Sequence, residues 1–295
     1  MQARVFHLHT LSALHIGTGQ GVGVVDLPIA RSKATNLPLV PGSALKGVLR
    51  DEAKEQWQLD FSQINRLFGP DSSNDDSHTG AVAFGDAQLL LLPIRSFSGT
   101  VAYATCPFIL QRYARDLQLD FSPITQQDTT ALLSHNSVLE IVSTHKIMLE
   151  DLDLNAKQDA QADEWAKHIA NSLYPNEVRD AENWREQLTK RLVILPDNIF
   201  SFLVDTATEI RMRIRIDRKT RMVKKGALWS EENLPAETVL WGVMGISQAH
   251  DKSGQSAAQL SDCIPAGEAN IQLGGKHTVG RGLCRLLIAA STTEQ

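Results

Sequence analysis

The chain opens on alternation. In residues 4–14, RVFHLHTLSAL, apolar and polar side chains exchange places often enough to predict a strand, with His7 and His9 on one face. From Pro41 the period changes. Leu45, Val48, Leu49 and Ala53 recur at i, i+3, i+4 and i+8, which predicts a helix entered through Pro41-Gly42-Ser43 with Ser43 as its cap. Lys46, Arg50 and Lys54 line another face of that helix as a basic stripe. Residues 57–80 end in FGPDSSNDDSHTG and predict a polar, turn-rich loop. AVAFGDAQLLLLPI, at 81–94, has the apolar density of a buried strand, with Gly85-Asp86 as a bulge. PFILQRYARDL, at 107–117, reads as a helix opened by Pro107.

The second half is more polar. Residues 150–164 carry six acids, and helical patterns follow at 165–173 and 184–193, so 150–194 predicts an acidic helical insertion lying outside the core. DNIFSFLVD, at 197–205, returns to strand character. From Arg211 the period is two: Arg211, Arg213 and Arg215 on one face, Met212, Ile214 and Ile216 on the other. Asp217-Arg218-Lys219-Thr220 supplies a turn and residues 221–224 a return strand, which makes a hairpin with one basic and one apolar face. Either it projects and grips a polyanion, or it packs Met and Ile inward and leaves arginines solvated. Residues 238–244 and the final LCRLLIAA are further strands, and 291–295 is a polar tail.

Composition narrows this picture. A chain of 295 residues has room for one large or two modest domains. No apolar run approaches the roughly 20 residues of a membrane span, and the N-terminus reads as a strand rather than a signal peptide. Cys106, Cys263 and Cys284 lie far apart with no CxxC pair, which argues against a zinc site or disulfide framework and fits a reducing cytoplasm. Net charge is −5, yet residues 211–225 hold eight Lys/Arg and one acid, Asp217. Positive charge concentrated on an acidic body directs a polyanion to one surface.

Candidate chemistry gathers in two glycine-rich stretches. Gly17, Gly19, Gly21 and Gly23 fall at every second position after His15, and one acid, Asp26, follows them. With the basic stripe behind a helix N-terminus, they suggest a phosphate cradle beside a single carboxylate; the plainer reading of Asp26 is a loop cap before Leu-Pro. The second stretch, GGKHTVGRG at 274–282, interleaves glycines with Lys276, His277 and Arg281 and reads as an anion-binding loop. It matches neither a Walker loop nor a dinucleotide fingerprint. His7 and His9 lack a third metal ligand nearby, and the acids around 71–76 with His78 lack calcium-loop spacing.

Taken in order, HIGTGQ, VVDLPIAR, PLVPGSALKGVLRDE, LPIRSFSGTVAYATCPFILQRYARD, RIRIDRKTRMVKKGALW, SEENLP and GGKHTVGRG resemble the signatures of one family. It is the repeated backbone subunit of Cmr-type (type III-B) CRISPR effector complexes, within the RAMP superfamily. The resemblance implies an α+β fold over residues 1–295: a discontinuous ferredoxin-like palm, helical fingers drawing on 57–80 and 150–194, and a projecting β-hairpin thumb at 208–235. It implies copies stacked head to tail along a guide CRISPR RNA with other Cmr-complex subunits, and a thumb that displaces one nucleotide in every six. Complementary target RNA is then cut at six-nucleotide intervals by in-line 2′-OH attack. The family's cleavage carboxylate matches Asp26, assigned to the 2′-OH or to a divalent metal ion, Mg²⁺, with His15 and Glu232 as helpers. Ser43, Lys46, Arg50, Arg213, Arg215, Arg218, Arg221, Lys276, His277 and Arg281 are the expected RNA contacts. Two other readings stay open: a non-catalytic guide-binding backbone, and a RAMP endonuclease that processes the repeat RNA.

Overall fold

The first strand forms within the predicted alternation but ends at Thr10, four residues short of the expected boundary, and it is buried on both faces. β1 (Gln2–Thr10) covers Phe6 and Leu8 together with His7 and His9. The structure, a computed structural model, describes residues 1–19, 24–70, 78–124 and 129–290. After the two-residue β2 (Leu39–Val40) comes α1 (Gly42–Gln56), which buries Leu45, Leu49 and Ala53 as its period requires. Its cap differs from expectation. Ser43 lies exposed inside the first turn, and no side chain bonds the N-cap, Pro41. The Gly42 N–H instead donates to Asp86 Oδ1 at 2.9 Å. A Cβ at Gly42 would fall 2.1 Å from the Phe84 carbonyl oxygen, so the helix start is pressed against the segment that carries Asp86.

Part of the loop expected at 57–80 is helical. α2 (Phe61–Phe68) starts from an Asp60/Gln63 capping box and buries Leu67 and Phe68. Residues 71–77, which gave that segment its polar weight, lie outside the described residues, as do 291–295. The single strand expected at 81–94 is two, β3 (Val82–Phe84) and β4 (Ala87–Ser96). Gly85-Asp86 separates them because Asp86 caps α1 and the Gly85 N–H donates to Val243 O at 2.9 Å.

The chain divides into two compact units, Met1–Gln88, Thr208–Ala236 and Leu240–Gln295 in one, Leu89–Ala207 and Glu237–Val239 in the other. β4 leads into the second. There follow β5 (Thr100–Thr105), α3 (Pro107–Leu117), β6 (Thr130–Leu133), β7 (Lys146–Leu149), β8 (Leu152–Gln158), α4 (Ala160–Leu173), α5 (Ala181–Thr189), β9 (Leu192–Ile194) and α6 (Asp197–Thr206). The strands run β4-β5-β9-β6-β8-β7, and Ser96 opposite Leu149 returns β7 to β4, so the sheet closes like a small barrel.

Two sequence expectations fail here. Residues 150–194 are not an outer insertion: β8 and β9 belong to the sheet, and α4 buries Trp165, Ala166, Ile169 and Leu173. Asp151 and Asp153 are exposed beside a buried Leu154, and that density of acids hid a strand. DNIFSFLVD is helix α6, not strand. Pro196 sets its N-cap, and Phe200, Leu203 and Val204 bury at helical spacing.

The first unit resumes with β10 (Glu209–Ile216) and β11 (Val223–Asn233), an antiparallel pair forming its own two-stranded sheet. Met212, Ile214, Ile216 and Met222 are exposed, as a hairpin free of the core requires. β12 (Val239–Ile246), α7 (Ala257–Asp262), β13 (Gly267–Gln272) and β14 (Leu283–Ile288) complete the unit, where the order is β13-β14-β1-β12 with β3 on β12. No helix among the described residues is long and apolar enough to cross a membrane.

The turn after β12 is pinned to α2. Asp251 accepts from Arg66 Nε at 2.8 Å and from the Ser253 N–H at 2.9 Å. The Ser253 hydroxyl, with Arg66, brings its carboxyl down to about 2 from an ordinary 3.8. The folded value is the lower one, so this contribution is complete above the ordinary value and is lost as pH falls through about 2. Asp251→Asn is expected to lower the urea midpoint at pH 7 and to leave it unchanged once acid has protonated the wild-type carboxyl. An equal loss at both ends of a pH series would show that the charge is not what holds the turn.

Candidate functional site

The site is built on β11 because both edges of that strand are used. β10 takes one edge, with Arg213 opposite Trp229, Arg211 opposite Glu231 and Glu209 opposite Asn233. Residues 26–29 take the other in parallel. There the Leu27 N–H donates to Ser230 O at 3.1 Å, and the Glu232 N–H donates to Leu27 O at 3.0 Å. One step along that edge, the Ser230 N–H meets a side chain instead of a carbonyl. Asp26 Oδ2 accepts it at 2.8 Å and accepts the Ser230 hydroxyl at 2.9 Å. The Asp26 N–H donates to the same hydroxyl oxygen at 2.9 Å.

Asp26 is exposed and Ser230 is buried. The backbone N–H of Ser230, then its hydroxyl, holds the Asp26 carboxyl below its ordinary value, so it is ionised at neutral pH. Both donors fall on Oδ2. Oδ1 has no protein partner among the described residues. Of the four alternating glycines before it, Gly21 and Gly23 lie outside the described residues; Gly17 bridges to Ile29.

Adjacent strand residues point to opposite faces, and the two glutamates show the consequence. Glu232 is buried, with Oε2 accepting from the Ile29 N–H at 3.0 Å. Its Oε1 accepts from Arg31 Nη2 at 2.7 Å and from the Thr208 hydroxyl at 3.0 Å. Glu232 therefore ties the Asp26 segment to the hairpin base through both its oxygens. The His15 ring is also buried. Its Nδ1 lies 2.7 Å from Glu232 O, an acceptor, so Nδ1 carries a proton, and Nε2 lies beside Gly17. The Gly275 N–H donates to His15 O at 3.0 Å, which brings the second glycine-rich loop onto the same residue.

Glu231, on the opposite face, is 1% exposed. Trp229 Nε1 donates to its Oε1 at 2.7 Å, Lys276 Nζ lies 3.0 Å from the same oxygen, and Arg213 Nε lies 3.8 Å from Oε2. Burial pushes this carboxyl up, but the Trp229 N–H, Lys276 and Arg213 outweigh it and hold it below its ordinary value. Lys276 Nζ also sits 5.8 Å from the centre of the Trp229 ring. Ser230, Glu231 and Arg31 were not among the residues expected from sequence. The available signal was SEENLP itself, two adjacent acids at the end of an alternating strand.

The predicted cations divide into groups. Arg215, Arg218 and Arg221 stand exposed along the hairpin, while Asp217, the acid among them, builds the turn by accepting from the Lys219 and Thr220 N–H groups at 2.9 and 3.0 Å. Arg213 and Lys276 are partly covered and face Glu231. Arg281 is buried, and its Nε has no hydrogen-bond partner among the described residues. Burial first, then Arg211, works against its charge. His277 is exposed in a single 3₁₀ turn. On α1 the stripe lies back against backbone: Lys46 Nζ donates to Val82 O at 3.2 Å and Arg50 Nη1 to Gly69 O. Among the described residues no group of three or more His, Cys, Asp or Glu is placed to hold a metal ion.

Residues 7–285 match the model of the RAMP superfamily. The chain is 34% identical over 302 residues to the CRISPR system Cmr endoribonuclease Cmr4 of Pyrococcus furiosus, covering 99% of this chain and 97% of that one. It is 27% identical to the CRISPR system CMR subunit Cmr4 of Saccharolobus solfataricus, over 95% and 94% of the two chains. Among solved structures, oligomeric Cmr4 from Pyrococcus furiosus matches with a TM-score of 0.76 at 26% identity, over 99% and 100%. A chain of the type III-B Cmr-beta structure bound to cognate target RNA shares the fold, with a TM-score of 0.73 at 21% identity over 98% and 97%. On a family model that spans nearly the whole sequence and a full-length relative at 34%, the chain belongs to the RAMP superfamily, among its Cmr4-type subunits.

Proposed function

We propose that this protein is the repeated backbone subunit of a type III-B CRISPR effector complex. It binds guide CRISPR RNA and cuts complementary target RNA at six-nucleotide intervals. One observation carries the reading: Asp26 is exposed and ionised, with Oδ2 tied to Ser230 and Oδ1 without a protein partner among the described residues, at the foot of an arginine-rich hairpin. The full-length relative named an endoribonuclease supports it. In this reading the first unit is a ferredoxin-like palm and β10–β11 the thumb. Arg215, Arg218, Arg221 and His277 take backbone phosphates directly. Arg213, Lys276 and Arg281 form a more covered rank behind them, and Ser43, Lys46 and Arg50 are the guide contacts, Lys46 and Arg50 by leaving the carbonyls of Val82 and Gly69 that they now bond. Partners are the two RNAs, further copies head to tail and other Cmr-complex subunits, in the cytoplasm.

RNA brings its own nucleophile. Asp26 Oδ1 accepts the proton of the 2′-OH of the displaced nucleotide. The 2′-oxygen bonds to the adjacent phosphorus, the bond from phosphorus to the 5′-oxygen breaks, and that oxygen takes a proton from solvent. His15 and Glu232 act by holding the Asp26 segment in place. A single exposed carboxylate oxygen suits Mg²⁺, which keeps most of its waters and takes the rest of its ligands from substrate phosphates. In the alternative to proton acceptance the same Asp26 oxygen would hold that ion, which when bound would stabilise charge on the phosphate under attack.

The test is a matched target carrying one 2′-deoxynucleotide at a displaced position, offered to the assembled complex. Cleavage is expected to vanish at that position and to persist at the neighbouring ones. A cut at the deoxy position would exclude the 2′-OH route.

A further inference from the structure

We propose that Ser230 is the positioning residue for Asp26, committing Oδ2 and leaving Oδ1 as the one oxygen that works on RNA; this rests on the cleavage reading above. A carboxylate on an exposed segment ordinarily rotates about its last torsion and exchanges its two oxygens. Here two donors from one residue, at 2.8 and 2.9 Å, fall on the same oxygen. The Asp26 N–H returns to the Ser230 hydroxyl at 2.9 Å, so backbone and side chain of Asp26 are both fixed by one partner.

That partner cannot drift. Ser230 is buried, its carbonyl accepts from the Leu27 N–H, and it lies opposite Met212 in the β10–β11 ladder. The charged groups around Asp26 are already engaged, Glu232 with Arg31 and Glu231 with Lys276 and Arg213. Among the described residues no cation pairs with Asp26, so its orientation depends on neutral donors and its full charge stays available to substrate. Pre-set geometry of this kind avoids reorganisation when the reaction occurs.

Ser230→Ala removes the hydroxyl but keeps the Ser230 N–H, so the carboxylate retains one bond and regains its swing. Ser230→Thr keeps the hydroxyl and adds a methyl on a strand, where branching at Cβ is tolerated. In the complex assembled with guide RNA, single-turnover cleavage at saturating target should fall by ~10- to 100-fold for Ser230→Ala, as for loss of other orienting partners. Target affinity and the melting temperature of the complex should not move. Ser230→Thr should restore cleavage to within about threefold of wild type, well inside that range. Wild-type cleavage by Ser230→Ala overturns the proposal. So does a Ser230→Ala defect that tracks lost affinity or melting temperature, or a Ser230→Thr variant as slow as Ser230→Ala in an intact complex. Asp26→Asn runs beside them. If it cuts at the wild-type rate, the cleavage reading falls and this proposal with it; if it is slow while Ser230→Ala is not, this proposal falls alone.

Discussion

Asp26→Asn should cut target RNA ~10²- to 10⁴-fold more slowly than wild type at every periodic site, the usual cost of losing a proton-accepting group. Guide and target binding should stay within a few-fold. The geometry makes this a clean substitution. An asparagine oxygen still accepts from the Ser230 N–H, so the parallel pairing of residues 26–29 with β11 survives. What disappears is the negative charge, on a side chain exposed enough that no buried partner is orphaned. An anion contributes nothing to phosphate affinity, so its loss leaves binding unchanged or slightly tighter. The measurement is a single-turnover time course beside target-binding titrations. Wild-type cleavage by the variant would remove Asp26 from the chemistry, and a large loss of binding would make it structural.

Glu232→Ala is the second large effect, and it should appear in stability. Both oxygens of Glu232 are used, and its partner Arg31 is itself only 18% exposed. Removing the acid leaves that guanidinium, the Thr208 hydroxyl and the Ile29 N–H without it. Breaking a buried pair from one side costs about 3–5 kcal/mol. Glu232→Gln, which keeps an acceptor, should lose less. Urea unfolding of both variants decides the matter. Cleavage abolished in a Glu232→Ala protein whose midpoint matches wild type would make Glu232 a chemical participant instead of the clamp it forms here.

Periodicity carried the sequence reading as far as elements depend on their own residues. Leu45, Leu49 and Ala53 buried as their spacing required, α3 began at Pro107, and the alternation from Arg211 became β10. It failed where a distant residue or one boundary decided. Ser43 is a good cap by type, but Asp86 reaches the helix start first because the fold brings that segment onto Gly42. DNIFSFLVD is dense enough in branched and aromatic residues to suit a strand, and Pro196 with burial on one side made it a helix. Asp26 was legible as a lone acid after glycines. Its anchor was not, because Ser230 lies 204 residues away and a serine in a strand carries no signal of its own. The stripe on α1 was read from spacing alone, and spacing does not show that Lys46 and Arg50 bend back to backbone carbonyls.

The hairpin's one irregularity lies between Ile214 and Ile216, on the turn side of a ladder that is regular from Glu209–Asn233 to Ile214–Leu228. Side chains alternate along a strand, so sliding β11 by one residue exchanges its faces. Glu231 would then face residues 26–29, and Ser230 would be turned toward Lys276 and Arg213. The site thus depends on a whole number, the pairing offset of two strands, and not on a continuously adjustable distance. An extra residue accommodated near the turn can take up strain there without changing that number. Insertions or deletions in residues 217–222 are thereby separated from the carboxylate, whereas a single-residue insertion between Leu228 and Ser230, inside the regular ladder, would dismantle the site with every one of its side chains still present.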